Sequence, residues 1–388
     1  MSLPVSVLEP LATIGILGGG QLGRMLALAA ARLGFKCHVF DPGPDSPAFD
    51  VVHRITCADY TDTQALDRFA ADVDIVTYEF ENVPAETATF LAARVPVLPD
   101  PRILATIQDR LAEKSFVAAL RIPTAPYAAV DAPRQLADAL DRIGRPAVLK
   151  TRRFGYDGKG QATIREADDP EAAWRAVGGQ PCILESFVAF EREVSVIAAR
   201  TREGAAECFD VIENEHRDHI LKVSRVPATL SAATALAAQR IAETIAEKFA
   251  YVGVLAVEMF VLSDGDLLVN EMAPRVHNSG HWTLDGASIS QFEQHIRAIA
   301  GWPLGKPVRR GRVEMINLIG SEVENYRSWL TVPDAAVHLY GKTAVRPGRK
   351  MGHVTRVFVD ERQIPERAGA QTRSGACQSH DPAGRDKA

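Results

Sequence analysis

Leu255-Ala-Val-Glu258-Met-Phe-Val-Leu262 and Leu267-Leu-Val-Asn270-Glu271 flank Ser263-Asp264-Gly265-Asp266. Both arms are rich in branched and aromatic residues and read as strands. Asp-Gly between them signals a two-residue hairpin turn. With Asp264 and Gly265 at its centre, the register sets Glu258 directly opposite Glu271. Such partners have Cβ atoms roughly 4.5–5.5 Å apart, and two carboxylates there repel unless a cation sits between them. Mg²⁺ takes one or two carboxylates together with nucleotide phosphates. A solvated acidic face and a proton-sharing pair are the alternatives. Val257, Met259 and Phe260 around Glu258 count against a solvated edge.

Past the hairpin comes Ala273-Pro-Arg275-Val-His277-Asn278-Ser-Gly-His281-Trp282. An arginine, two histidines and an asparagine on irregular chain form an anion-binding and proton-handling cluster. A lone histidine is usually structural, but this clustering raises the functional weight. Upstream, the apolar strand Pro146–Arg153 delivers Lys150, and Phe154-Gly155-Tyr156-Asp157-Gly158-Lys159-Gly160-Gln161 follows. A three-glycine loop can fold N–H groups over phosphates, with lysine supplying charge. No helix or GK[ST] follows, so it is not a Walker A loop. A plain flexible hairpin is the bland reading, made less attractive by Lys150, Lys159, Arg152 and Arg153.

Near the start, Gly18-Gly19-Gly20-Gln21-Leu22-Gly23 follows a strand and opens a helix, and Asp41 ends the next strand. On paper this is a dinucleotide fingerprint. The glycines equally suit a sharp turn, or a helix N-terminus that holds a simple phosphate monoester.

The 388 residues suggest two or three domains, and 46% hydrophobic with 24% charged is an ordinary soluble composition. A net charge of −5 argues against a protein built to coat nucleic acid or anionic membrane. No apolar run approaches the roughly 20 residues of a membrane span, and no signal peptide is evident. Five scattered cysteines without CxxC support neither a zinc site nor a disulfide framework. A cytoplasmic enzyme is the expectation. Strand and helix signals alternate at first: strands at Thr13–Leu17, Lys36–Phe40 and Asp74–Tyr78, and a helix to about Leu33. They predict a parallel sheet over residues 1–107. A helix over Gln108–Leu120 places Leu111, Ser115/Phe116 and Ala119/Leu120 on its apolar face. An α+β region follows over 108–302. A small β-rich unit spans 303–365, with strands at Val313–Ile319, Ala336–Tyr340 and His353–Val359. Residues 366–388 are almost free of apolar side chains and should be disordered, with Cys377 a reactive thiol.

These features, in this order, resemble the N5-carboxyaminoimidazole ribonucleotide synthetases, ATP-grasp enzymes of purine biosynthesis. GGGQLGRML (Gly18–Leu26), TYEFENVP (Thr77–Pro84), GYDGKGQ (Gly155–Gln161), NEMAPRVHNSGHWT (Asn270–Thr283), GASISQFEQHIRAI (Gly286–Ile299) and RPGRKMGH (Arg346–His353) carry the resemblance. It implies an ATP-grasp fold behind a Rossmann-like N-terminal domain. It also implies the joining of bicarbonate to 5-aminoimidazole ribonucleotide at the expense of ATP, through carboxyphosphate. Mg²⁺ or Mn²⁺ would serve, without biotin, in a homodimer.

By resemblance, Arg110 and Lys150 touch ATP phosphates under a lid from Gly155 through Tyr156, Asp157, Gly158, Lys159 and Gly160 to Gln161. Glu185 accepts from the adenine amine, the Val188 backbone reads the ring, and Glu193 holds the ribose. His216 and Asn270 add nucleotide contacts, and Glu258 and Glu271 hold the metal. Ala273 stands where many ATP-grasp relatives carry a further metal-binding asparagine. Gly20, Gln21 and Leu22 hold the ribonucleotide phosphate with Lys342 and Arg349, Glu79 contacts the substrate's ribose or amine, and Tyr156 also binds the substrate. Arg275, His277 and Asn278 line the bicarbonate site, and His277, His281 or the departing phosphate could take the amine proton. An NAD(P) oxidoreductase leaves the hairpin carboxylates and the second glycine loop without a role. Another ATP-grasp ligase leaves RPGRKMGH and GHWT unexplained. A non-catalytic nucleotide sensor would need a lost lysine or metal ligand.

Overall fold

The computed structural model describes residues 6–155 and 158–359. Tyr156, Asp157 and the tail from Glu366 therefore lie outside the described residues. Three sheets organise the rest. The first is parallel and runs β3-β2-β1-β4, from β1 (Thr13–Leu17), β2 (Lys36–Phe40), β3 (Arg54–Thr56) and β4 (Ile75–Tyr78). Every residue of β4 is buried, as expected of a parallel strand covered on both faces. Helix α1 (Gln21–Arg32) starts directly after β1 and the glycine cluster.

The second sheet is antiparallel, in the order β5-β8-β6-β7. It comprises β5 (Tyr127–Val130), β6 (Ala147–Thr151), β7 (Gln161–Ile164) and β8 (Cys182–Ser186). The third is the largest. It contains β9 (Arg192–Arg200), β10 (Ala206–Cys208), β11 (Ile212–Arg217), β12 (Ile220–Val226), β13 (Gly253–Val261) and β14 (Leu267–Ala273). It continues into β15 (Arg312–Ile319), β16 (Ala335–Leu339) and β17 (Lys350–Phe358) in the order β14-β13-β9-β11-β12-β15-β17-β16, with β10 beside β9. The strands read as a separate small unit thus extend the central sheet through the β12–β15 pairing.

Period-2 alternation decides how β13 is buried. Leu255 and Val257 join the cluster with Ala238, Ala242 and Ile245 of the Ala232–Lys248 helix. Val254 and Ala256 join Phe292, Ile296 and Ile299 of the Gln291–Ala300 helix. Each fully buried Val, Leu, Ile or Phe among them contributes about 1.5–3 kcal/mol.

The β13–β14 hairpin pairs Glu258 with Glu271, but by a different route from the one expected. Leu262 and Asp266 close the turn, with Leu262 N donating to Asp266 O at 2.9 Å. The loop is therefore three residues, Ser263 to Gly265, with Gly265 at φ +88°. That shifts the register by one. A bulge at the Glu258/Met259 step, with Asn270 as the extra residue, shifts it back. The bulge also turns Asn270 and Glu271 away from the core while Val269 and Met272 stay buried.

The Arg110–Ala119 helix forms as expected, yet its buried residues are Glu113, Lys114 and Val117. The apolar stripe through Leu111 and Phe116 is only half-buried. Two ionisable side chains can be buried here because both find hydrogen-bond partners on β14.

Candidate active site

The site lies where the second and third sheets face each other across the Arg110–Ala119 helix. Glu113 and Lys114 of that helix grip β14 on either side of its bulge. Met272 N donates to Glu113 Oε1 at 2.6 Å, and Lys114 Nζ donates to Val269 O at 3.1 Å. Lys114 also lies 3.5 Å from Glu185 on β8, which ties the two sheets together. Burial pushes the Glu113 carboxyl up to about 8, against the pull of Arg110.

Arg110 donates to Glu271 Oε2 at 2.8 Å and to Gly155 O at 3.2 Å. Burial works to raise Glu271, but Arg110 prevails and holds it well below the usual carboxylate range. Its side chain remains 38% exposed toward the cleft. Glu258 faces His277, whose Nε2 is 3.0 Å from Oε1. Asn270 Oδ1 is buried without a hydrogen-bond partner on the same face. Among the described residues no cluster of three or more His, Cys, Asp or Glu is arranged for a metal. A cation here would rely on two carboxylates, the Asn270 oxygen and ligand oxygens. Ala273 offers no side-chain oxygen.

Lys150 donates to Glu185 Oε2 at 3.0 Å. Lys150, Lys114 and Arg110 outweigh the burial of Glu185 and lower its pKa. Glu185 Oε1 is buried and unpartnered, an acceptor aimed at no protein donor. Glu193 and His216 pair at 2.5 Å. Burial disfavours the His216 cation, but Glu193 overrides it and raises the pKa. Val188 is half-buried just past β8. The second glycine loop is fixed at its described residues. Gly160 O accepts from Thr151 N at 2.8 Å. Gly158 has φ +77°, and an added Cβ would lie 2.6 Å from His219. Lys159 and Gln161 flank the loop's return into β7.

The first glycine cluster is built differently. Glu79 accepts from Gly20 N at 2.8 Å and Gly23 N at 3.2 Å. Burial raises its pKa, and these amides oppose the rise. Asp41 accepts from Gly19 N and Gly43 N, both at 2.7 Å, and from Ser46 Oγ at 2.6 Å. Asp41 is thus committed to its own loop, which counts against the dinucleotide reading. Helix geometry gives the N–H groups of Gln21 and Leu22 no intrahelical acceptor. Gly341 packs near Arg24 of α1, which brings the Lys342 segment to the same helix. Lys342 Nζ donates to Lys350 O at 2.7 Å, and Arg349 Nη1 turns back to Ala344 O at 2.8 Å.

Arg275 forms a close ion pair with Glu81, a partner the sequence reading did not single out. Asn278 is 8% exposed, and its amide exchanges hydrogen bonds with Asn317 at 2.8 and 3.0 Å. It braces the loop more than it lines a cavity. His281 has no exposed surface, and Tyr340 Oη lies 3.1 Å from its Nδ1. Burial pushes its pKa well below the ordinary value, so it is poorly placed as a base.

Three family models match: the ribonucleotide synthetase preATP-grasp domain over residues 11–108, the ATP-grasp domain over 115–292, and the phosphoribosylaminoimidazole carboxylase C-terminal domain over 314–367. The N5-carboxyaminoimidazole ribonucleotide synthase of Brucella melitensis is 52% identical over 352 residues, 90% of this chain and 97% of that protein. A solved N5-carboxyaminoimidazole ribonucleotide synthetase from Thermus thermophilus superposes with TM-score 0.84 at 47% identity, covering 90% and 94% of the two chains. The Aspergillus clavatus synthase, solved with ADP and 5-aminoimidazole ribonucleotide, gives TM-score 0.84 at 32% identity over 90% and 94%. No helix among the described residues is long and apolar enough to cross a membrane. At these identities, and across all three matched domains, the chain belongs to the N5-carboxyaminoimidazole ribonucleotide synthetases, ATP-grasp ligases of purine biosynthesis.

Proposed function

We propose that this chain joins bicarbonate to the exocyclic amine of 5-aminoimidazole ribonucleotide, with ATP going to ADP and phosphate. One observation carries the residue assignment. Asn270 Oδ1 and Glu185 Oε1 are buried acceptors without protein donors, flanking the Arg110–Glu271 and Lys150–Glu185 pairs. Glu185 Oε1 suits an adenine amino group, and Lys150 and Arg110 suit the phosphates. Glu193 and His216 suit the nucleotide ribose, with Val188 N–H and C=O toward the ring. Glu258, Glu271 and Asn270 suit Mg²⁺, or Mn²⁺ in its place. Such an ion supplies charge neutralisation to the transferred phosphoryl group.

Bicarbonate attack on the γ-phosphoryl group gives carboxyphosphate and ADP. Arg110 and Lys150 hold the phosphate chain in line, and Arg275 offers its guanidinium to the bicarbonate anion. The substrate amine then attacks the carboxyl carbon. The new C–N bond forms, the C–O bond to phosphate breaks, and phosphate leaves with the bonding pair. Gln21 and Leu22 N–H groups, with Lys342 and Arg349, would hold the 5′-phosphate beside Glu79. The division of labour follows the three sequence regions 1–107, 108–302 and 303–365. A homodimer and a cytoplasmic location belong to the same proposal and rest on the resemblance.

ADP release, measured with labelled bicarbonate and with or without the ribonucleotide, tests this. Ribonucleotide-dependent ADP release with label entering an acid-labile product is expected. ADP release that ignores the ribonucleotide and leaves the label in bicarbonate would contradict it.

A further inference from the structure

The side chain of His277 reaches the carboxylate hairpin, but the groups that fix its ring lie behind the site. Its Nδ1 accepts from Ser279 N at 3.3 Å and lies 2.9 Å from Ser279 Oγ. Ser195 Oγ on β9 donates to Ser279 Oγ at 2.8 Å. Asn214 Nδ2 on β11 donates to Ser195 Oγ at 2.9 Å, and Ser224 Oγ on β12 donates to Asn214 Oδ1 at 2.8 Å. Ser195, Ser224 and Ser279 have no exposed surface, and Asn214 has 7%.

Proton counting gives this chain one direction. A backbone N–H cannot accept, so the one 3.3 Å from Nδ1 disfavours a proton there, and the hydroxyl chain adds the rest of the bias. The Asn214 amide nitrogen cannot accept either. Ser195 must therefore pass its single proton to Ser279, and Ser279 must pass its own to Nδ1. The ring proton is left on Nε2, which faces Glu258.

We infer that Ser195, Asn214 and Ser279 are positioning residues that lock His277 as an Nε2–H donor, so that His277 is not the base of the reaction. The inference rests on the carboxylation proposed above and deepens it. Once Glu258 turns to a cation, the Nε2–H donates to an oxygen of bicarbonate or of the transferred phosphoryl group. The amine proton then leaves on the departing phosphate, which already carries away the C–O bonding pair.

Two experiments on the full chain test this. In ¹⁵N-histidine spectra, with His277 assigned by its loss in His277→Gln, wild-type protein should show an unprotonated Nδ1 and a protonated Nε2. Ser195→Ala should show a mixture of tautomers. A wild-type His277 protonated at Nδ1 would overturn the inference without touching the carboxylation, because no substrate is present. In kinetics, Ser195→Ala should lower kcat about ten- to a hundredfold, with both KM values within about twofold. Ser195→Thr, which keeps the hydroxyl, should restore most of it. His277→Gln puts an amide donor where Nε2–H stands. It should keep about tenfold more kcat than His277→Asn or His277→Ala, within the range of one positioned donor. Equal loss in all three would overturn the donor role.

Discussion

Glu258 and Glu271 face cationic or ionisable side chains across an open cleft, whereas Asp41 and Glu79 face backbone amides inside a closed turn. The first pair meets His277 and Arg110. The second pair meets the N–H groups of Gly19, Gly20, Gly23 and Gly43. All four are carboxylates, and what fills their lone pairs decides the work each pair does. A carboxylate held by mobile side chains can exchange its partner for a cation. One held by several backbone donors is a fixed part of the fold. The glycine cluster is therefore shaped from within by Glu79 and Asp41, which accept from its own amides.

The sharpest way to break this contrast is to neutralise the hairpin pair. Glu258→Gln and Glu271→Gln should each cost at least about a hundredfold in ATP turnover, with a folded protein by circular dichroism. Near wild-type turnover in either would remove the pair from the chemistry. Next, Lys150→Ala should damage nucleotide use, while Arg349→Ala should mainly raise KM for the ribonucleotide. A lost charge-assisted contact removes roughly 1.5–3 kcal/mol, about ten- to over a hundredfold in binding. An Arg349→Ala enzyme weakened only toward ATP would contradict the pocket assignment.

Glu79→Ala should act on the fold as well as on binding. It strips the acceptor from one buried and one half-buried amide and should cost about 1–3 kcal/mol in denaturant unfolding. A stability unchanged from wild type would make Glu79 a ligand group rather than a fixed cap.

The smallest effect is the pH slope. His295 is buried between Thr77 Oγ1 and Val254 N, and burial drives its pKa from 6.5 to about 3. Burial likewise lowers His38 to about 4 and takes His281 and His353 well below 6.5. Their folded pKa values lie below the unfolded one. The stability from keeping them neutral is present above pH 6.5 and fades as pH falls toward 4. His295 alone contributes at most about 1.4 kcal/mol per pH unit below 6.5. The urea midpoint should fall over pH 6.5–5, and His295→Gln should make that fall shallower by one proton. An unchanged slope would mean that His295 charges freely.

Much of this was legible in the sequence because it is local. The strand–glycine–helix start, the second glycine loop and the hairpin all announce themselves within a few residues. The Glu258–Glu271 pairing was read correctly through two departures that cancel, a three-residue turn and a bulge at Asn270. Turn type is a local signal, but a bulge is set by what lies across the strand. Here Glu113 and Lys114 grip the backbone on both sides of it. Those two buried side chains are not legible in the apolar stripe of the helix. A Glu-Lys pair one turn before Val117 was the available clue. Glu81, Ser195 and Asn214 lie far along the chain from the groups they hold, and no spacing in the sequence connects them.

The central claim is that the hairpin pair serves a cation and the glycine-cluster pair serves the fold. Mn²⁺ binding in the presence of ADP, followed by electron paramagnetic resonance, tests it without turnover. Wild type and Glu79→Gln should bind the ion alike, and Glu271→Gln should lose it. Binding retained in Glu271→Gln, or lost in Glu79→Gln, would contradict the account.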